Sequence, residues 1–347
     1  MTPVELSRTV LHAVRRAVDD GELSVAVPER AVVSEPGPGG CGDYATTIAL
    51  QLARPAGQPA RRVAEILLPR LADAAGIREV VVTGPGFLNI SLAEQAQADL
   101  VTAVVREIRA RGAAYGHGDA LAGQVVALRV PYEVRAEVVA DAVVRLVAAQ
   151  GGRATVEHAE PVTLRPVPAP EDPAPLGPDA AQWALLHPAP HDRPRITADH
   201  LVQRESNPLF RVRYAHARVR SVSRNAARLG FSAEPGPIEP AIDTGTRSST
   251  STDGGNDAVV VSRDLLTPLA DHPRILAAAA THRAPDRLAR HLVTVADAVL
   301  PFLPSVLPSG EEKPSAAHRA RLALAEAAGT VLAGGLSLLG IDAPEHL

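Results

Sequence analysis

The chain has 347 residues, 46 % of them hydrophobic and 21 % charged, with a formal net charge of −4. That length supports two or three domains with cores of their own, and a negative total excludes a surface that attracts nucleic acid everywhere, so any RNA site is a local patch. The single cysteine, Cys41, excludes an internal disulfide and a multi-cysteine metal site.

Aromatics make up only 3 % of the residues. Ala, Val and Leu supply the apolar mass, which favours a helical core over a β-sandwich. Basic charge is almost wholly Arg, with Lys313 the exception; codon bias accounts for most of this, although Arg is also the better bidentate phosphate ligand. Met1-Thr2-Pro3-Val4-Glu5 lacks the basic stretch and apolar run of a secretion signal. No stretch offers about 18 consecutive apolar residues for a membrane span. A cytoplasmic location, away from membranes, is therefore expected.

In chain order, Val4, Leu11, Val14 and Val18 fall at helical spacing. Ala31-Val32-Val33 reads as a short strand. Gly39-Gly40-Cys41-Gly42 is a turn, after which Asp43 is placed to cap a helix through Ile48, Leu50 and Leu52. Pro59 opens a further helix with Val63, Ile66, Leu67 and Leu71 on one side. Val80–Val82 and Phe87–Leu92 read as strands joined at Gly84-Pro85-Gly86, and a long helix covers about 93–111. Residues 124–158 read as one βαβ unit: Val125–Val130, Val134–Ala149, Ala154–Val156. Residues 161–194 hold ten prolines, which argues against a regular sheet, although Asp179–Leu186 is spaced for a short helix. A helix follows Asn207-Pro208 to about Leu229. Residues 234–257, rich in Pro, Gly, Ser and Thr, read as a mobile loop. Helices near 264–281, 285–300 and 315–338 complete the chain, with Pro301, Pro304 and Pro308 breaking the last two apart.

Three stretches resemble arginyl-tRNA synthetase. Gly42-Asp43-Tyr44-Ala45-Thr46, with Gly84-Pro85-Gly86-Phe87-Leu88-Asn89-Ile90, resembles the paired signatures of that family's N-terminal additional domain. Asn207-Pro208 followed by Tyr214-Ala215-His216-Ala217-Arg218 resembles the helix that opens its DALR-type anticodon-binding domain. The tail Leu338–Glu345 resembles its C-terminus. Arg135–Gln150 and Gly177–Leu186 resemble the helices that follow the HIGH and KMSKS-type signatures, but the signatures are absent. Where HIGH should stand, the chain reads Leu128-Arg129-Val130-Pro131-Tyr132-Glu133-Val134. Adenylate formation needs positioned cations and donors on the transferring phosphates; neither signature nor a P-loop supplies them here.

The resemblance implies an α+β chain in four parts. Residues 1–112 are the N-terminal α/β additional domain, and 113–160 a remnant βαβ of a Rossmann-like core. Residues 161–194 are a Pro-rich linker, and 195–347 an all-α anticodon-binding domain with the loop 234–257. It implies a pseudoenzyme with no catalytic residue, cofactor or metal. It further implies tRNA as partner, arginine tRNA being the family's own. A second reading makes the chain a protein partner of a full synthetase or of an aminoacyl-tRNA-using enzyme.

Candidate contacts follow. Phe87 and Asn89 alternate with Leu88 and Ile90 and so share the other strand face; an aromatic and an amide there suit an unpaired base, and the resemblance assigns these positions to the D-loop. Along the helix after Pro208, at about 100° per residue, Val212, Ala215, Val219, Val222 and Ala226 form a core stripe. Arg213, Arg220 and Arg224, with His216 beside them, line the opposite side as candidate contacts to the tRNA backbone and anticodon arm. His158, His187, His191 and His200 lack paired ligand spacing and read as solvated; Trp183 reads as a packing residue.

Overall fold

The structure is a computed structural model that describes residues 1, 3–34, 36–37, 39–238 and 254–347. It contains two compact units, Met1–Ala103 and Val104–Leu347.

The first unit is α/β. Helix α1 (Pro3–Asp19) precedes two short strands, β1 (Val33–Ser34) and β2 (Tyr44–Thr46). Helices α2 (Ile48–Ala56) and α3 (Ala60–Ala72) follow, then strands β3 (Ile77–Thr83) and β4 (Phe87–Leu92). The sheet order is β1-β2-β4-β3, antiparallel throughout. Leu88, Ile90 and Leu92 are fully buried with Leu6, Val63 and Leu67 of the helices.

Asp43 does not cap a helix. Three strand residues separate it from α2, and its carboxylate accepts the Leu92 N–H at 2.8 Å while its own N–H donates to Ile90 O. It therefore clips the edge of β2 onto β4. Gly42 makes this approach possible: its φ is +81°, and a Cβ there would lie 2.8 Å from Ile90 O.

Helix α4 (Glu94–Arg111) leads into the second unit. Strands β5 (Val125–Arg129) and β6 (Arg153–Glu157) pair in parallel across helix α5 (Val134–Ala149), which is the βαβ read from the sequence. The Pro-rich segment is packed rather than a free link. Thr163 and Leu164 donate to Arg129 O, and Leu164 and Leu176 are buried. Helix α6 (Pro178–Leu186) buries Trp183 completely.

Four further helices complete the unit. Helix α7 (Pro208–Arg228) is capped by Asn207, and α8 (Gly254–Thr281), α9 (Pro285–Phe302) and α10 (Ala316–Leu339) pack with it as a bundle. Two sequence expectations shift here. Of the loop 234–257, residues 239–253 lie outside the described residues, while Gly254–Asp257 already belong to α8. Pro301 sits inside the last turn of α9 rather than beyond its end, and the helix gives way to a 3-10 turn at Leu303–Ser305.

By length and composition α10 is apolar enough to cross a membrane, but 72 % of its most apolar window is buried in the bundle. Its glycines allow this packing. A Cβ at Gly335 would lie 2.4 Å from Leu292 Cδ2 of α9.

Candidate nucleic-acid interface

The β3–β4 hairpin separates Phe87 from Asn89. Phe87 opens β4 and is 37 % exposed, whereas Asn89 is 2 % exposed. The strand alternation places both on one face, but the loop ahead of β2 closes over the second. Cys41 N–H donates to Asn89 Oδ1 at 3.3 Å, and Asn89 Nδ2 donates to Thr83 Oγ1 at 2.7 Å and to Val81 O. Every polar atom of this amide is thus engaged within the protein. Phe87 alone of the pair presents surface to a ligand.

Helix α7 has two polar sides, and they differ. The side carrying Arg213, Arg220 and Arg224 is covered. Arg213 pairs with Asp179 at 3.3 Å, Arg220 with Glu345 at 2.8 Å, and Arg224 lies 3.9 Å from the same carboxylate. His216 is buried, and its Nδ1 donates to Pro344 O at 3.0 Å. Burial lowers its pKa against the opposing pull of that carbonyl, so the ring is neutral at pH 7. The C-terminal segment from Pro344 to His346 therefore lies along this side.

The other polar side is open. Phe210, Tyr214, Arg218, Ser221, Asn225 and Arg228 recur at steps of four and three, one stripe on a helix. Tyr214 is 38 % exposed and its ring stacks on Phe210 at 5.4 Å. Arg218 and Arg228 are exposed and form no ion pair among the described residues. Two stacked aromatic rings, followed along the helix by unpaired guanidiniums, make a surface for stacking bases and neutralising phosphates. Counting Arg residues along α7 misses this side, because the arginines are densest where the acids Asp179 and Glu345 meet them. The signal lay in the aromatic spacing.

At the head of α5, the N–H groups that would receive an anion are already taken. Glu133, the N-cap, accepts Arg135 N–H at 3.1 Å and Ala136 N–H at 2.9 Å. Arg135 is wholly buried, and its guanidinium donates to the carbonyls of Val167, Leu185, Pro188, Ala189 and Asp192 at 2.7–3.0 Å. Among the linker histidines, His187 is not solvated: its ring stacks on Trp183 at 5.1 Å.

Residues 5–92 match the family described as Arginyl tRNA synthetase N terminal domain, and residues 212–347 match the DALR anticodon binding domain. The arginine–tRNA ligase of Frankia alni is 46 % identical over 117 residues, 34 % of this chain and 20 % of that protein. The arginine–tRNA ligase of Renibacterium salmoninarum is 41 % identical over 171 residues, 46 % of this chain and 30 % of that one. The chain thus spans between 20 % and 30 % of the length of these relatives. In fold it is similar to Thermus thermophilus arginyl-tRNA synthetase, with a TM-score of 0.66 at 14 % identity over 100 % of both chains. The arginyl-tRNA synthetase of Plasmodium falciparum gives 0.63 at 9 % identity over 99 % of each. The chain therefore carries an arginyl-tRNA synthetase N-terminal domain and a DALR anticodon-binding domain, and is related to the arginyl-tRNA synthetases.

Proposed function

We propose that this chain binds tRNA and does not aminoacylate it. The observation that carries the reading is the open stripe of α7, which runs into the DALR match at residues 212–347, with stacked Phe210 and Tyr214 ahead of unpaired Arg218 and Arg228. Stacking platforms with nearby guanidiniums hold unpaired bases without needing a strongly basic protein. Phe87 supplies a second, aromatic contact for a tRNA loop. The partner is a tRNA gripped by loop and anticodon arm with its acceptor end left free, to be sequestered or presented to another enzyme.

The non-catalytic half rests on the βαβ unit. Leu128–Val134 offers no His, and Glu133 places a carboxylate on the α5 amides where a phosphate would otherwise sit. An anion held there would meet a like charge within hydrogen-bonding distance.

Two assays on folded protein test the reading: a gel shift with bulk tRNA at moderate salt, and arginine-dependent ATP–pyrophosphate exchange. The expected outcome is a shift without exchange. Absence of any shift defeats the binding half; exchange above the protein-free blank defeats the other.

A further inference from the structure

A pocket of about 360 Å³ lies between the end of α6 and the first half of α9, apart from the α7 stripe. Its floor is apolar. Its wall carries Arg193, Arg195 and Arg290, the imidazoles of His187 and His200, and one acid, Asp192. Three arginines stand against two acids, Asp192 in the lining and Asp286 beside Arg290, which leaves one net positive charge at the cavity.

The arginines are unequally satisfied. Arg290 shares its charge with buried Asp286. The guanidiniums of Arg193 and Arg195 make no hydrogen bond or ion pair with any described residue, while Arg195's backbone carbonyl is fixed by His200 Nε2 at 2.8 Å. His187 is half-buried and stacked on Trp183, and neither ring nitrogen has a hydrogen-bond partner among the described residues. Burial, then Arg290 and His200, push its pKa down to about 4, so at neutral pH it keeps one N–H to donate. His187 thus offers a solvent-reachable N–H in the same cavity as two unpaired arginines, a donor set that suits an anion.

We propose that this pocket binds a phosphate group, taken by the forks of Arg193 and Arg195 with His187 as the inner donor. The phosphate comes either from the backbone of a bound RNA, which rests on the tRNA reading above, or from a free phosphorylated small molecule. The volume leaves room for more than the phosphate itself, so the attached group meets the apolar floor.

Trp183 is the only tryptophan and touches the proposed donor, so its fluorescence reports on the site directly. Titration of the full chain with inorganic pyrophosphate, at ionic strength held constant with sodium chloride, should give a saturable change. The R193A/R195A pair, at exposed positions, should weaken that binding by about tenfold or more, and R193K/R195K should retain most of it. A change reproduced by sodium chloride alone, or one the alanine pair leaves intact, overturns the site. A tRNA arm then separates the sources. If the alanine pair also weakens tRNA binding and pyrophosphate competes with tRNA, the phosphate is the RNA backbone's. If tRNA binding is untouched while pyrophosphate binding is lost, the RNA source is overturned and the free ligand stands. Should the wild type bind no tRNA at all, the tRNA reading fails and the pyrophosphate titration still decides the pocket.

Discussion

Arg135 Nη1 donates to the carbonyl of Val167 at 2.7 Å, deep under the Pro-rich segment. Prolines leave carbonyls without matching N–H donors, and this one guanidinium gathers five carbonyls from that segment and the end of α6. R135M should leave these acceptors unpaired and destabilise the second unit by about 3–5 kcal/mol. Urea unfolding checks the loss, and limited proteolysis should cut first within 161–194. A variant as stable as the wild type would mean the segment is held by packing alone.

Phe87 and Asn89 should part company on substitution. F87A removes a part-exposed ring, so thermal stability should change little while tRNA binding loses about 1–3 kcal/mol, the worth of a base stack. N89A breaks three internal hydrogen bonds and should cost about 1–3 kcal/mol of stability. Paired melting and binding curves read both. Loss of tRNA affinity with N89A at full stability would instead make the amide a base contact.

Glu345 competes with any phosphate for Arg220 and Arg224. Half-exposed pairs of this kind are worth roughly 0–1 kcal/mol, so the segment is easily displaced. E345Q should therefore raise tRNA affinity up to about fivefold and steepen its salt dependence. Unchanged affinity would place these two arginines outside the RNA footprint.

Stability should fall in mild acid. His272 and His291 stack in the α8–α9 core with ring centroids 5.2 Å apart, and burial pushes their pKa values down to about 3 and about 4. The unfolded chain takes up these protons first, near pH 6.5. The stability they contribute is therefore full above that pH and is lost as pH falls toward 4. Asp286 works the other way, since burial raises its pKa, but His187 and His216, also shifted down by burial, add to the decline. Thermal melts between pH 7 and 4 should show the decline, and H272L should flatten it; an equal slope in the variant would locate the acid sensitivity elsewhere.

The helices were legible because their apolar spacing repeats for several turns: α5 and α7 begin and end within a residue or so of where Val134, Pro208 and Leu229 place them. What lies over a strand or helix face was not. The alternation of Phe87 and Asn89 is a local property, whereas the burial of Asn89 depends on Cys41, 48 residues away. His216 reads as a surface group beside three arginines until Pro344 is seen to cover it. Arg135 reads as one more helix residue because its carbonyl partners lie 32 or more positions downstream.

The most direct test of the account is the tRNA-binding isotherm of the full chain at moderate salt, compared with that of Y214A/R218A. Both side chains are exposed, so the variant should melt as the wild type does. Wild-type protein should bind tRNA saturably. The variant should lose about tenfold or more in affinity, from the missing stack and the missing phosphate contact. Folded wild-type protein that binds no tRNA, or a variant that binds as tightly as the wild type, would contradict it.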